Sequence, residues 1–167
     1  KTARNEVNAR KAWVYQNWVG ASGREEQFHA SLGCGQGGDA HKLARTFPRN
    51  STVLNVDFSD ACIAEFKSRV DAVAGLKNTL RWEFECTDLL EWEVPEQFRG
   101  RADSVSCMMA LHYFSRFPLA LKTFFENVVY ELLKPNGVFI AIYPDPLSVL
   151  RYMDQADDDG FVNTELF

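Results

Sequence analysis

A cluster of glycines and a downstream aspartate are the residues whose types and spacing best fit ligand chemistry. Residues 33–38 read Gly-Cys-Gly-Gln-Gly-Gly and directly follow a short apolar run. Glycines in such a place allow positive φ angles and let the backbone approach a ligand closely. Asp57 ends the next apolar run, and a carboxylate there can accept hydrogen bonds from both hydroxyls of a ribose. The pair predicts a site for an adenosine-like ligand.

The glycine spacing does not by itself distinguish two classes of ligand. It satisfies the G-x-G-x-x-G fingerprint of dinucleotide-binding proteins and equally the G-x-G-x-G loop of methyltransferases, so NAD and S-adenosylmethionine both remain open. Asp88 and the segment 108–113 also follow apolar runs. Because ligands of open parallel sheets bind outside the carboxyl ends of the strands, all these features predict one site at one edge of a sheet.

The elements that must position these residues alternate between strand and helix patterns. Short apolar runs that end in glycine, aspartate or a turn predict strands, and apolar residues with a helical period predict helices. This alternation predicts an α/β fold, with a mostly parallel sheet covered by helices on both faces. The predicted strands are 27–32, 52–56, 81–86, 103–109 and 137–143, and the predicted helices are 5–19, 39–47, one that begins at Ser59 or Asp60, and 119–133.

Length and composition describe one globular domain and exclude disordered, fibrous and membrane-spanning classes. Hydrophobic residues make up 46% of the 167 residues and charged residues 25%, and no apolar run approaches the about 18–20 residues that a membrane helix needs. The net charge of −5 argues against a uniformly basic nucleic-acid binder, although the first 70 residues hold ten basic and seven acidic side chains. The four cysteines form no CxxC pair, so no metal site is predicted and a reducing, intracellular location is favoured.

Several longer motifs decide between the two ligand classes. They are Asn-Trp-Val at 17–19, Leu-Gly-Cys-Gly-Gln-Gly-Gly-Asp at 32–39, Ala-Leu-His-Tyr at 110–113, Leu-Leu-Lys-Pro-Asn-Gly at 132–137, Ile-Tyr-Pro-Asp at 142–145 and Gly-Phe-Val-Asn at 160–163. With them the chain resembles the mRNA cap (guanine-N7) methyltransferases, class I enzymes that use S-adenosylmethionine. The resemblance implies a Rossmann-like class I methyltransferase fold that lacks its last strands. It also implies a single, C-terminally incomplete domain at 1–167, in which 1–20 form a helical segment.

The resemblance implies roles for individual residues in two adjoining sites. Asp57 would hold the ribose and Asp88 would lie beside the adenine, while His112 would lie near the cap guanine and Tyr113 beside the cofactor. Because neutral guanine carries no proton on N7, no catalytic base is expected, and His112 and Tyr113 would position the reactants. The expected cofactor-binding residues are Gly33, Gly35, Gly37, Asp57, Asp88, Met108 and Tyr113, and the expected cap-binding residues are Asn17, Lys42, Arg69 and His112.

The chain also departs from the pattern of that family. Gly20 stands where a lysine usually contacts the carboxylate of the cofactor, and Ser31 replaces an acidic residue before the glycine loop. Gln36 stands where a cap-contacting lysine is usual, and Met108 where a glutamine is usual. These departures weaken the case for full activity and leave the fold intact.

Three functions therefore compete. The first is methyl transfer from S-adenosylmethionine to N7 of the guanine cap of mRNA, with capped RNA and its triphosphate bridge as partner. It implies action in the nucleus, or in the cytoplasm for a viral protein, and a further segment or subunit that completes the domain. The second is a small-molecule methyltransferase of the same class, which would need neither Lys42 nor Arg69. The third is a non-catalytic or regulatory subunit, which fits Gly20, Gln36 and Met108. A NAD-dependent dehydrogenase ranks below all three, since only the glycine loop supports it.

Overall fold

Five parallel strands form one sheet in the computed structural model, which describes residues 3–19, 25–115 and 117–153. The strand order is β3-β2-β1-β4-β5, so the chain starts at the centre, builds one half outward, and returns to build the other half. The winding direction therefore reverses between β1 and β4, which is where such folds bind ligands. The strands are β1 Phe28–Leu32, β2 Thr52–Asp57, β3 Arg81–Cys86, β4 Ala102–Met108 and β5 Leu133–Ile142. The predicted α/β class is confirmed.

Helices connect the strands, largely where the sequence predicts them. The predicted N-terminal helix is formed by α1 and a π-helical extension, and the side chain of Ser59 caps α3 by accepting a hydrogen bond from the Cys62 amide. Among the described residues, no helix is long and apolar enough to cross a bilayer. The helices are α1 Ala3–Val14, α2 Ala40–Thr46, α3 Asp60–Ala72, α4 Ala74–Lys77, α5 Pro118–Thr123, α6 Tyr130–Leu132 and α7 Pro146–Met153, with π-helical turns at Tyr15–Val19 and Phe124–Val129 and 3₁₀ turns at Glu96–Phe98 and Leu111–Tyr113.

The two faces of the sheet bury different side chains. Every position of β1 is buried, as expected for a central parallel strand covered on both sides. One face packs residues such as Leu32, Val105 and Phe124. The other face packs Met108 and its neighbours against the N-terminal helix and α2. This burial holds the carboxyl ends of the strands, and the loops on them, in fixed positions.

A buried polar network ties the N-terminal helix to the second face. His29 Nδ1 lies 2.8 Å from Ser104 Oγ and His29 Nε2 lies 2.9 Å from Ser106 Oγ, while the Tyr15 hydroxyl lies 3.3 Å from Ser106 Oγ. Burial lowers the pKa of His29 to about 3 and raises the pKa of Tyr15, because both charged forms lose hydration. The imidazole is therefore neutral; it joins β1 to β4, while Tyr15 joins the N-terminal helix to the same network through Ser106.

The last predicted helix and strand differ from the structure at their junction. The predicted helix 119–133 is three consecutive helical segments that begin with Pro118 and end at Leu132. β5 then begins at Leu133, before the Pro-Asn-Gly signal rather than after it. The signal is absorbed as an irregularity in the pairing with β4, where Asn136 has φ +65°. Helix α7 was not predicted, and Gly20 and the motif at 160–163 lie outside the described residues.

Candidate functional site

The glycine loop is folded back onto the end of β2. The amides of Gly33 and Cys34 both donate to the carbonyl of Val56, at 2.8 and 3.1 Å. Gly33, Gly35 and Gly37 all have positive φ, between +53° and +74°. A Cβ on Gly33 would lie 2.6 Å from the Ala110 Cβ, so only glycine permits this approach between the loop and the segment after β4.

Asp57 holds the glycine loop in place and also faces the cleft next to that loop. Its Oδ2 accepts a hydrogen bond from the Gly35 amide at 2.7 Å, and its Oδ1 accepts one from the Ser59 amide at 3.0 Å. The residue is only 7% exposed. Because each carboxylate oxygen has two lone-pair directions, both oxygens can still accept a hydrogen bond from a ligand hydroxyl.

A cleft of about 620 Å³ opens at the carboxyl ends of β1 to β4. Its size and its mostly apolar lining with a few polar groups are typical of small-molecule sites. Phe58 and Tyr113 expose 78% and 73% of their surface there. The lining residues are Gly33, Gly35, Asp57, Phe58, Ser59, Cys62, Thr87, Asp88, Leu89, Met109, Ala110, Tyr113 and Phe114.

The structure brings most of the expected cofactor residues to this cleft. Gly33, Gly35, Asp57, Asp88 and Tyr113 all line it. Asp88 Oδ1 also accepts a hydrogen bond from the Leu90 amide at 2.9 Å, which shapes the turn after β3.

Gly37 and Met108 are expected cofactor residues that lie away from the lining. A Cβ on Gly37 would lie 2.3 Å from the ring of Phe66, so this glycine serves the packing of the loop on α3. The Met108 side chain is buried in the face that packs against the N-terminal helix. The next residue, Met109, follows β4 with φ +67° and lines the cleft instead, in keeping with the alternation of side chains between the two faces along a strand.

Three of the expected cap residues make other contacts outside the cleft. Asn17 Nδ2 donates to the carbonyl of Trp13 at 2.7 Å, and Arg69 pairs with Glu65 at 3.3 Å on the same helix. Lys42 Nζ lies 2.8 Å from Asp39 Oδ1 and also contacts Asn8 Oδ1 and the carbonyl of Gly38. Lys11 Nζ lies 2.9 Å from Asp39 Oδ2, so this carboxylate joins α1 to the start of α2 through Lys11 and also holds Lys42 on α2 itself.

His112, the fourth expected cap residue, adjoins the cleft without lining it. Its ring centroid lies 4.2 Å from that of Tyr113, with 37° between the ring planes. Its Nδ1 is buried and has no hydrogen-bond partner within the part of the chain that the structure describes. A buried polar atom without a partner is unfavourable, so Nδ1 would gain stability from any hydrogen-bond partner that reaches it.

Sequence reasoning missed several lining residues, among them Phe58, Cys62 and Leu89. A signal existed for Phe58, since it directly follows the strand-ending Asp57 and a large apolar residue there is left exposed by the turn. Cys62 lies in the first turn of α3 and Leu89 in the turn after β3, and no spacing in the sequence indicates that either side chain faces the cleft. Across the described residues, no three histidine, cysteine or carboxylate side chains are grouped to hold a metal ion.

The geometry first defines a class. A parallel sheet with a glycine-rich first loop and a carboxylate after the second strand, both at the switch point, is a Rossmann-like nucleoside-binding fold. The fold is similar to that of geranyl diphosphate C-methyltransferase from Streptomyces coelicolor, solved with S-adenosyl-L-homocysteine. The TM-score is 0.62, with 17% identity over 83% of this chain and 46% of that one. The class I methyltransferase fold expected from the sequence is confirmed.

The sequence of the chain identifies its family. Residues 2–165 match the mRNA (guanine-N(7))-methyltransferase domain, and the chain belongs to that family. It is 29% identical over 136 residues to the mRNA cap guanine-N(7) methyltransferase of Caenorhabditis elegans, covering 79% of this chain and 35% of that protein. It is 28% identical over 138 residues to mRNA cap guanine-N(7) methyltransferase 1 of rice (Oryza sativa subsp. japonica), covering 79% and 37%. The chain thus spans about a third of the length of these relatives. The expected family, one that depends on S-adenosylmethionine, is confirmed.

Proposed function

We propose that this chain transfers a methyl group from S-adenosylmethionine to N7 of the guanine cap of mRNA. The observation that carries the proposal is the cleft at the switch point, built by the glycine loop and Asp57, in a chain whose family match covers 2–165. Capped RNA is the substrate that the names of the relatives suggest.

The residues of the cleft fit this cofactor. A Cβ on Gly35 would meet nothing within 4 Å, so the loop leaves open space beside the backbone for a ligand. Asp57 offers carboxylate oxygens to ribose hydroxyls, and the exposed ring of Phe58 offers a flat apolar wall to a purine. When bound, S-adenosylmethionine supplies a methyl group on a positively charged sulfur, which suits a cleft with two carboxylates, Asp57 and Asp88.

Methyl transfer to guanine N7 would require this chain to orient the two reactants and would not require it to transfer a proton. Guanine N7 offers a lone pair and carries no proton, so no side chain needs to act as a base. Orientation of two bound reactants can lower a barrier by up to about 7–11 kcal/mol. The Gly33–Ala110 contact and the Asp57 hydrogen bonds fix the cofactor side of the cleft. His112, with its unpartnered Nδ1 and its ring against Tyr113, would position the guanine.

Groups outside the cleft would contribute to binding of the cap. Asn17, Lys42 and Arg69 make other contacts, so a triphosphate bridge would have to compete with Asp39 for Lys42. A further segment or subunit that completes the domain next to β5 would supply more of the substrate site. The relatives' role in mRNA capping makes the nucleus the proposed location.

A second candidate function, binding without catalysis, is favoured by one observation. Lys42 is held by Asp39, Asn8 and Gly38, and Gln36 replaces a second lysine of the family pattern. A regulatory subunit would keep the cofactor cleft and lose the capacity to hold the cap in line.

Methyl transfer to capped RNA separates the two candidates. The assay follows radiolabelled methyl groups from S-adenosylmethionine into capped RNA, with ATP and free GTP as competing acceptors. Transfer to capped RNA alone, weakened in Asp57→Asn and retained in Asp71→Asn, supports the proposal, since Asp71 is an exposed carboxylate paired with Lys77 away from the cleft. Cofactor binding with no transfer to any acceptor would instead establish the regulatory candidate.

A further inference from the structure

A second hollow lies between α1 and the end of β5. It has a volume of about 430 Å³, within the range of small-molecule sites. Its floor is aliphatic, and two exposed aromatic rings stand at its rim, Trp13 with 57% and Tyr143 with 53% of their surface accessible. The lining residues are Arg10, Trp13, Val14, Ala141, Ile142 and Tyr143.

This hollow shares an edge of the sheet with the cofactor cleft. Tyr143 directly follows β5, so it lies at the carboxyl ends of the strands, where the cleft also opens. The Met109 amide donates to the Ile142 carbonyl at 2.6 Å, and Met109 lines the cleft while Ile142 lines the hollow. The two sites are therefore linked by one backbone hydrogen bond.

Two arginines give α1 a charge complementary to a polyanion. The helix carries Arg4, Arg10 and Lys11 against the single carboxylate of Glu6, and Lys11 is paired with Asp39, whereas the whole chain has a net charge of −5. Among the described residues, no carboxylate pairs with Arg10, which leaves its guanidinium available at the rim. Aromatic rings that flank an apolar floor, with an arginine beside them, match the chemistry of unpaired nucleobases and their phosphates.

We propose that the hollow binds a nucleobase of the single-stranded RNA that follows the cap, stacked on Trp13 or Tyr143, with Arg10 at the adjoining phosphate. The identity of that RNA as a capped transcript rests on the proposed function. The stacking itself does not, because every base offers a π face to an aromatic side chain.

The test compares the affinities of three probes for the 167-residue chain. They are the cap dinucleotide GpppG, a capped pentanucleotide, and the same pentanucleotide without a cap, each measured by fluorescence anisotropy or competition. We expect the capped pentanucleotide to bind about five- to a hundredfold more tightly than GpppG, the range for stacking of a base on an aromatic side chain. Trp13→Ala should remove most of that advantage, and Trp13→Tyr should retain most of it.

Matched controls separate the hollow from general effects. Tyr130→Ala removes an even more exposed ring on α6, outside the hollow, and should leave the ratio of the affinities unchanged. Arg45→Ala is the control for Arg10→Ala, since Arg45 is an exposed arginine on α2. With 4-thiouridine as the first nucleotide after the cap, ultraviolet cross-linking should modify Trp13 or Tyr143.

Several results would overturn the proposed nucleobase site. Equal affinities for GpppG and the capped pentanucleotide, an advantage that survives in Trp13→Ala, or one that Tyr130→Ala also abolishes would overturn it. So would protection of Trp13 from iodide quenching in the absence of RNA, since the hollow would then be filled by residues 154–167 or by a second copy of the chain. If GpppG is neither bound nor methylated while the uncapped pentanucleotide binds in a Trp13-dependent way, the proposed function fails and the nucleobase site stands.

Discussion

Replacement of Gly37 by alanine should destabilise the fold, and more strongly than the same change at Gly35, because the new Cβ would clash with Phe66. Gly37 has φ +74°, a conformation that costs an L-residue roughly 1–2 kcal/mol. Its new Cβ would lie 2.3 Å from the ring of Phe66, which is 1% exposed and has no free space to move into. Overpacking of a buried side chain adds about 1–3 kcal/mol. We expect the free energy of unfolding to fall by about 2–5 kcal/mol, and Tm by about 4–20 °C for a chain of this size.

Gly35→Ala is the matched control, because only one of the two terms applies to it. Gly35 has φ +53°, yet a Cβ there would meet nothing within 4 Å. Its free energy of unfolding should therefore fall by about 1–2 kcal/mol, from backbone strain alone. The added methyl group would occupy the space beside the cleft, so the affinity for S-adenosylhomocysteine should fall about tenfold or more.

Two assays read these effects separately. Urea unfolding, followed by circular dichroism, gives the free energy of unfolding, and titration calorimetry of the folded variants gives the affinity for S-adenosylhomocysteine. Phe66→Leu in the Gly37→Ala background should recover part of the lost stability, because leucine is smaller than the ring that the new Cβ meets. The reasoning is refuted if Gly35→Ala destabilises the chain as much as Gly37→Ala, or if Phe66→Leu makes the double variant less stable by its full single-variant effect.

Three further predictions concern the charged and polar residues around the site. Asp39→Asn should lower the free energy of unfolding by about 1–3 kcal/mol, since Lys11 and Lys42 each lose a charge-assisted bond, and a double-mutant cycle with Lys11→Met should show coupling that exposed surface pairs lack. His112→Ala should weaken binding of GpppG with little change in binding of S-adenosylhomocysteine, as calorimetry can check; equal losses for both ligands would argue against a position beside the guanine. The pKa of His29 is lowered to about 3 in the folded chain, whereas the histidine of the unfolded chain titrates near 6.5, so below pH 6.5 the unfolded state binds one more proton. The free energy of unfolding should therefore fall by up to about 1.4 kcal/mol per pH unit from pH 6.5 until the pH nears 3. His29→Gln should reduce that slope in urea titrations between pH 6 and pH 4.

Much of the fold could be predicted because the local sequence patterns of most strands agree with the positions of those strands in the sheet. The runs that form β1 and β2 are apolar and short, and each ends in residues with a distinct turn preference. The junction at Leu133 could not be predicted, since Pro-Asn-Gly is a common stop signal and only the partner strand β4 shows that it is absorbed as an irregularity within β5. Strand pairing across the sheet thus overrode a local rule.

The residues expected to hold the cofactor were easier to place from the sequence than those expected to hold the cap, for a physical reason. Gly33 and Gly35 act through their backbone and Asp57 through a short side chain, all at strand ends, so their sequence positions fix their places in space. Lys42 acts through a long side chain whose partner is chosen by tertiary contacts, and here the nearest carboxylate, Asp39, holds it. The one-residue difference between Met108 and Met109 has another origin, because successive side chains along a strand point to opposite faces and Met108 points to the face that packs against the N-terminal helix.

Asp57 has a structural role in the glycine loop and an expected role in binding the cofactor. Its carboxylate accepts hydrogen bonds from the amides of Gly35 and Ser59, so it holds both the glycine loop and the start of α3 in place before any ligand arrives. A ribose bound there would meet acceptors whose positions are already fixed, and little ordering would remain to be done on binding. In the proposed reaction, which needs orientation and no proton transfer, such fixed acceptors would contribute to catalysis by placing the cofactor. We therefore expect the same carboxylate to couple the stability of the loop to the placement of the cofactor.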